Sequence, residues 1–267
     1  MLCIAARRTP KRGLPPEFPS NGDGDSATSI AIAQGIFDQI QSEAKIGTRL
    51  ADEISGEKFE QITRSFVETT FSNLRTLRRG RWDFNSEKTA TFRFEQYHSL
   101  AELAQVAEKN PEIAALLGSD CVIAPDVLVL RELEPDKAIN RKYVRVNEMV
   151  ALRSQIREHN NKPAILHASI SCKWTLRTDR SEALSLIRKR KGRVPHIAVV
   201  TGEPLPSRLA SLALGTTDID CVYHFALPEL ISSVEKLQIE DSVQLLKIMV
   251  EGERLKDITD LPLDLAA

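Results

Sequence analysis

The stretch PAILHASISCKW, residues 163–174, decides how this chain is organised, because it is typical of a long buried strand in the middle of a sheet. Side chains alternate along a strand, which places Ser169, Ser171 and Lys173 on one face and the apolar residues between them on the other. The sequence therefore predicts a central strand whose polar face ends in a lysine.

Shorter apolar runs and helical patterns alternate on both sides of this strand. Further strands are predicted at residues 82–84, 91–97, 121–124, 127–130, 196–201 and 219–225. Helices are predicted where apolar residues recur at helical spacing, at residues 32–40, 59–74, 100–117, 144–159, 181–191, 207–214, 228–237 and 241–249. This alternation predicts an α/β fold with a mixed central sheet flanked by helices.

The start of the chain differs in composition from the rest. Residues 1–28 contain four prolines and the polar run SNGDGD at 20–25, which favour a flexible N-terminal arm. No linker rich in Pro, Gly or Ser divides residues 30–267. We therefore expect one domain over residues 29–267.

Composition excludes several classes of protein. The 267 residues are 42% hydrophobic and 27% charged, which excludes collagen-like and wholly disordered chains. No apolar run approaches the roughly 20 residues that span a bilayer, and we expect a cytoplasmic protein without a membrane partner. The formal net charge of −1 leaves a DNA partner open, because an acidic catalytic cluster can cancel a basic groove. The four cysteines lack metal-ligand spacing, so free thiols are expected.

Two charged residues at strand ends suggest a hydrolytic site. Asp126 follows Pro125 at the start of one predicted strand, and Lys173 closes another. Mg²⁺ prefers oxygen ligands, and a carboxylate and a lysine at adjacent strand ends suit metal-assisted phosphodiester cleavage. A turn before a strand and a solvated lysine would explain the same residues without chemistry. Spacing alone leaves both readings open.

The residues after Lys173 suggest contacts with bases. Arg177 and Arg180 flank Asp179. An arginine fork donates two hydrogen bonds to guanine, and an aspartate accepts one from cytosine. Arg208, at a predicted helix start, could reach an outer base pair. A surface salt-bridge cluster is the alternative explanation for this group.

Longer segments resemble the NgoMIV family of type II restriction endonucleases, within the PD-(D/E)XK nuclease superfamily. The resemblance covers most of residues 30–267. It is densest in LLGSDCVIAPD (116–126), LHASISCKWTLRTDR (166–180), RKGRVPHIAVVTGEP (190–204), GTTDIDCVYHFAL (215–227) and RLKDITDLPLDLA (254–266). It implies a restriction-endonuclease-like fold and a Mg²⁺-dependent deoxyribonuclease that cuts duplex DNA at GCCGGC after the first G, as a homotetramer engaging two DNA sites.

The resemblance also implies a catalytic set. Asp126 matches the Pro-Asp motif as a metal ligand, and Ser171 and Lys173 match the Ser-x-Lys motif, with Lys173 as the catalytic lysine. Glu60 matches the helix glutamate that completes the site. Glu182 matches the glutamate that replaces the usual acidic residue before the lysine, and would be a second metal ligand.

The same resemblance assigns the DNA-reading residues. Arg177, Asp179 and Arg180 match the motif that reads the CCGG core, and Arg208 matches the arginine at the outer base pair. The chain departs from the family pattern where Glu182 follows Arg180 with one residue between them, since the family has several more residues there.

Three hypotheses follow from these residues. The first is an endonuclease that acts on double-stranded DNA as a homotetramer or homodimer, with a DNA methyltransferase as functional rather than binding partner. The second is a catalytically impaired homologue that binds specific DNA without cutting, because of the shortened segment between Arg180 and Glu182. The third is an α/β protein whose charged clusters only solvate its surface.

Overall fold

The computed structural model describes residues 3–6, 11–40, 52–74, 76–85, 94, 96, 126–160, 163–176, 194–215 and 219–267. Its strands are β1 (Ile4–Ala6), β2 (Glu17–Pro19), β3 (Trp82–Asn85), β4 (Val127–Arg131), β5 (Ile165–Lys173), β6 (His196–Thr201), β7 (Cys221–His224) and β8 (Leu255–Asp257). Its helices are α1 (Ala27–Ile40), α2 (Asp52–Asn73), α3 (Asp136–Ile139), α4 (Pro206–Ala213), α5 (Leu227–Lys236), α6 (Glu240–Glu251) and α7 (Leu261–Ala266). Among these residues, no helix is long and apolar enough to cross a membrane.

Six strands form a mixed sheet in the order β3-β4-β5-β6-β7-β8. The first three pair antiparallel, whereas β6, β7 and β8 pair in parallel. Helices α4, α5 and α6 connect the parallel strands, because a parallel neighbour needs a crossover connection. The predicted α/β fold with a mixed sheet is confirmed, and the central strand is the nine-residue β5.

The chain divides into two compact units. Unit 1 comprises Met1–Thr69, Ser171–Ser181 and Ala198–Asp264. Unit 2 comprises Thr70–Ile170, Glu182–Ile197 and Leu265–Ala267. The predicted arm at 1–28 and single domain at 29–267 stay predictions.

Helix packing forms the core of unit 1. Helix α1 lies against α5, and the side chains of Ile32, Ile36 and Leu230 are completely buried there. Gly35 permits this approach, since a Cβ atom at that position would lie 2.6 Å from the Ser233 hydroxyl oxygen. Full burial of each large aliphatic side chain contributes about 1.5–3 kcal/mol, so this packing stabilises the first described helix.

Aromatic residues form the core of unit 2. The Trp82 ring lies 5.1 Å from Phe71 and 4.8 Å from His167, both in edge-to-face geometry. Nε2 of His167 lies 2.7 Å from the carbonyl oxygen of Leu265. Residues 127–130 of β4 are buried throughout, as expected of an internal strand.

The helix predicted at residues 144–159 is wrong. The structure has turns and bends there. The side-chain oxygen of Asn147 accepts the backbone N–H groups of Met149 and Val150, and this Asx turn competes with helical hydrogen bonds. Arg157 is buried in a bidentate ion pair with Asp136, at 2.6 Å for both hydrogen bonds. Local side-chain bonds and one tertiary ion pair therefore override the helical periodicity.

Part of the stretch 1–28 is ordered by main-chain pairing. Strands β1 and β2 pair antiparallel, and Phe18 is buried. Asn21 is also fully buried, and its amide nitrogen donates to the carbonyl oxygen of Gly202 at 3.1 Å. These contacts anchor the loop that precedes α1.

Candidate functional site

The polar face of β5 becomes more exposed toward the end of the strand. Ser169 is buried, Ser171 is half-buried and Lys173 is exposed. Ile170 and Cys172, on the opposite face, are both buried. The predicted alternation is confirmed, and the lysine at the end of the strand is exposed.

Asp126 directly precedes β4 and is half-buried. In the antiparallel ladder Val127 pairs with Ile170. Asp126 is thus one residue before this pair, while Ser171 and Lys173 are one and three residues after it. The predicted positions of the aspartate and the lysine, at the start of one strand and the end of the next, are confirmed.

Glu60 lies on α2 and is half-buried. Its neighbour Phe59 is buried and contacts the Trp174 ring edge-to-face, with 5.2 Å between centroids. Because Trp174 follows Lys173 in the chain, this ring contact packs α2 against the exit from β5. The predicted helix position of Glu60 is therefore confirmed, while its role stays a prediction.

Four candidate residues lie outside the described part of the chain, namely Arg177, Asp179, Arg180 and Glu182. Within the described residues, no group of three or more His, Cys, Asp or Glu side chains could hold a metal ion. The proposed metal pair is Asp126 with Glu182, and only its first member is described. Carboxylate oxygens such as those of Asp126 do suit a hard cation.

Arg208 lies in the first turn of α4, as predicted. One terminal nitrogen donates to a carboxylate oxygen of Asp23, and the other lies 3.6 Å from Oε2 of Glu203. The side chain is 37% exposed, which leaves part of the guanidinium accessible. An arginine held by carboxylates has a fixed direction and keeps further N–H donors for a ligand.

Glu203 is a residue that the sequence analysis did not single out. Its side chain is fully buried, and it accepts the N–H of Leu176 at 2.8 Å and the N–H of Leu205 at 3.1 Å. Burial raises the pKa of Glu203, while these hydrogen bonds and Arg208 oppose that rise. The sequence pattern that could have indicated Glu203 is TGEPLP, in which a glutamate lies between the end of a strand and the proline that begins a helix.

His224 is buried and carries no charge near neutral pH. Its Nδ1 accepts the backbone N–H of Ala226 at 3.1 Å, so the proton of the neutral ring is on Nε2. Burial lowers the pKa of His224 to about 4. This side chain is therefore part of the core of unit 1.

Two arginines near β3 donate hydrogen bonds to groups of the protein itself. Arg78 donates to the carbonyl oxygen of Ala267, and Arg81 donates to that of Leu133 at 2.6 Å. Arg81 also pairs with Glu132, with 3.2 Å between nitrogen and oxygen. These two arginines stabilise unit 2.

Comparisons with known proteins place the chain in a family. The family described as NgoMIV restriction enzyme matches residues 11–267. The curated protein "Type II restriction enzyme NgoMIV" of Neisseria gonorrhoeae is 50% identical over 256 residues, which is 92% of this chain and 89% of that enzyme. The resemblance carried by the quoted segments is thereby confirmed.

Proposed function

Since the chain belongs to the NgoMIV restriction enzyme family and is a restriction endonuclease, we propose that it cuts double-stranded DNA at the palindrome GCCGGC by Mg²⁺-dependent phosphodiester hydrolysis. The single observation that carries this proposal is the 50% identity over 92% of the chain. The positions of Asp126 and Lys173 at the ends of β4 and β5 support it, because the family motifs fall on those two strand ends.

Asp126 and Glu182 would hold the metal ion. Asp126 is half-buried at the start of a buried strand, which fixes its backbone and leaves the carboxylate partly accessible. A Mg²⁺ ion bound there supplies a Lewis acid that neutralises charge on the phosphate and lowers the pKa of a water. We assign Glu60 to the same site as the carboxylate that completes it.

Lys173 acts on the attacking water or on the phosphate. Its exposed position at the end of β5 allows the side chain, as a neutral amine, to accept a proton from the attacking water, or, as an ammonium, to orient that water or hold a phosphate oxygen. Ser171, on the same strand face, is half-buried and adds a hydroxyl to this surface. The water oxygen forms a bond to phosphorus, the P–O3′ bond breaks, and the 3′ oxygen receives a proton.

DNA reading is assigned to four residues. Arg177, Asp179 and Arg180 recognise the CCGG core, and Arg208 recognises the outer base pair. Arginine forks bind guanine O6 and N7, and aspartate accepts from cytosine N4. The direction that Asp23 gives to the Arg208 guanidinium supports this assignment.

Self-association is proposed as a homotetramer or homodimer. Five large apolar side chains are exposed within residues 143–152, namely Tyr143, Val144, Met149, Val150 and Leu152. Exposed apolar clusters mark protein interaction surfaces. We place the chain in the cytoplasm, with a DNA methyltransferase as functional partner, since a restriction enzyme needs its host DNA protected.

Plasmid digestion with Mg²⁺ tests the proposed function. We expect discrete fragments with ends inside GCCGGC, and loss of cutting by more than about 1,000-fold for Lys173→Ala with DNA binding retained. Lys142→Ala, which removes an exposed lysine outside the site, should cut at the unaltered rate. A specific gel shift without fragments would instead indicate the binding-only homologue, which the comparisons do not support.

A further inference from the structure

Glu203 places one buried carboxylate between two segments that the proposed function uses. The segment leaving β5 ends its described part at Leu176, directly before Arg177 in the sequence. The other segment begins α4 and contains Arg208. We infer that Glu203 is a positioning residue that fixes the exit from β5 and the Arg208 side chain relative to each other for DNA reading. This inference rests on the proposed function.

The two carboxylate oxygens of Glu203 have different partners. Oε2 accepts the N–H of Leu176 at 2.8 Å and lies 3.6 Å from Arg208. Oε1 accepts the N–H of Leu205, the residue before α4, at 3.1 Å. One side chain therefore bonds both segments, and neither bond can shift without moving the carboxylate.

The backbone around Glu203 is held as firmly as its side chain. Its own N–H donates to the Thr201 hydroxyl at 3.1 Å, and Gly202 N–H donates to the Trp174 carbonyl at 3.1 Å. A Cβ atom at Gly202 would lie 2.7 Å from the Trp174 ring. The main chain thus approaches the exit from β5 as closely as a glycine permits.

Burial of a carboxylate costs more free energy than burial of a neutral acceptor that could satisfy the same two backbone N–H groups. Burial of a charge costs free energy unless hydrogen bonds compensate it, and a serine or aspartate at the cap position satisfies a helix N-terminus without that burial. Glu203 has no exposed surface, so its carboxylate oxygens serve groups inside the protein. Its partners are the two segments that precede the assigned reading residues.

Glu203→Gln tests whether the hydrogen bonds of Glu203 to the two segments matter, rather than its packing, because glutamine keeps the shape of the side chain. A glutamine has one acceptor oxygen, and its NH₂ group would face a donor at Leu176, Leu205 or Arg208. Cleavage kcat/KM is measured on GCCGGC, on ACCGGT with the outer pair changed, and on GCATGC with the core changed. We expect discrimination against both altered sites to fall about tenfold.

Arg208→Ala provides the comparison for one arm of the bridge. Arg208→Ala should reduce discrimination at the outer base pair alone, whereas Glu203→Gln should reduce discrimination at the outer base pair and in the core. Glu203→Asp keeps the carboxylate but is too short to reach both N–H groups, so we expect it to lose discrimination as Glu203→Gln does. Glu235→Gln, which removes an exposed carboxylate on α5, is the matched control and should leave discrimination unchanged.

Amide hydrogen exchange gives a readout without DNA. In Glu203→Gln the amides of Leu176 and Leu205 should exchange faster than in the unaltered chain, and discrimination is compared at a temperature where the variant is folded. Unchanged discrimination in Glu203→Gln, or a pattern identical to Arg208→Ala, overturns the inference. If the unaltered chain neither binds nor cuts GCCGGC, the proposed function fails, and that result is distinct from a failure of Glu203 alone.

Discussion

Two arginines, each paired with an aspartate, differ in exposure: one is buried in unit 2 and the other is partly exposed in unit 1. Arg157 in unit 2 is 1% exposed, bonds Asp136 through Nε and Nη2, and donates from Nη1 to the Val150 carbonyl oxygen at 3.2 Å. Arg208 in unit 1 is 37% exposed and contacts Asp23 and Glu203 through its terminal nitrogens. Exposure, rather than the presence of a carboxylate partner, separates a structural arginine from a candidate reading arginine.

The largest expected effect is on the buried arginine. Arg157→Ala leaves the Asp136 carboxylate and the Val150 carbonyl without their partner, and such losses are strongly destabilising. We expect the melting temperature to fall by about 10 °C, measured by circular dichroism. Discrimination at the outer base pair should stay unchanged at a temperature where the variant is folded. Arg153→Ala, an exposed arginine in the same segment, should melt like the unaltered chain.

His224 extends the comparison with Arg157, because it is a buried basic side chain that has no hydrogen bond to a carboxylate among the described residues. Its pKa of about 4 lies below the ordinary value of 6.5, so the unfolded chain binds a proton more readily. The free energy of unfolding should therefore fall between pH 6.5 and 4, by ~3 kcal/mol from this group. Denaturant titration of His224→Gln should show a shallower pH dependence.

Arg208→Ala tests the recognition side of the comparison. Loss of a guanine contact lowers discrimination at the outer pair by about 10- to 100-fold, corresponding to ~1–3 kcal/mol. The melting temperature should fall less than in Arg157→Ala, since the pair with Asp23 is partly exposed and Glu203 keeps its two backbone N–H donors. A melting loss as large as that of Arg157→Ala, with discrimination retained, would make Arg208 structural as well.

The smallest expected effect belongs to Asp23→Asn. The amide oxygen can still accept from Arg208, but the charge that strengthens this bond is gone. We expect discrimination at the outer pair to fall about threefold in competitive cleavage. Asp25→Asn removes the same charge two residues later, where the carboxylate pairs with Lys11 instead, and it should discriminate like the unaltered chain.

Predictions from the sequence succeeded where a single chain segment carries the signal. The alternation in β5 predicted which side chains share a face, and the helical spacing predicted α4, α5 and α6. The positions of Asp126, Glu60 and Arg208 at their elements followed from the same local patterns. Long family motifs then indicated the restriction endonuclease fold, which the comparisons confirmed.

Predictions failed where the deciding contact joins distant residues. The periodicity at 144–159 favoured a helix, yet Arg157 bonds Asp136 across 21 positions of sequence. The sequence did not predict a role for Glu203, because its hydrogen bond with Leu176 spans 27 positions and leaves no local pattern. Local propensity cannot register the desolvation and pairing of such buried charges.

The sequence by itself determined the alternation of strands and helices, the motif positions and the family, because apolar periodicity and residue identity are properties of the chain alone. The tertiary structure decided which charged groups are buried, which pKa values shift and which arginine remains accessible. Burial and hydrogen bonding set the free energy of a charge, and both depend on residues that only folding brings together.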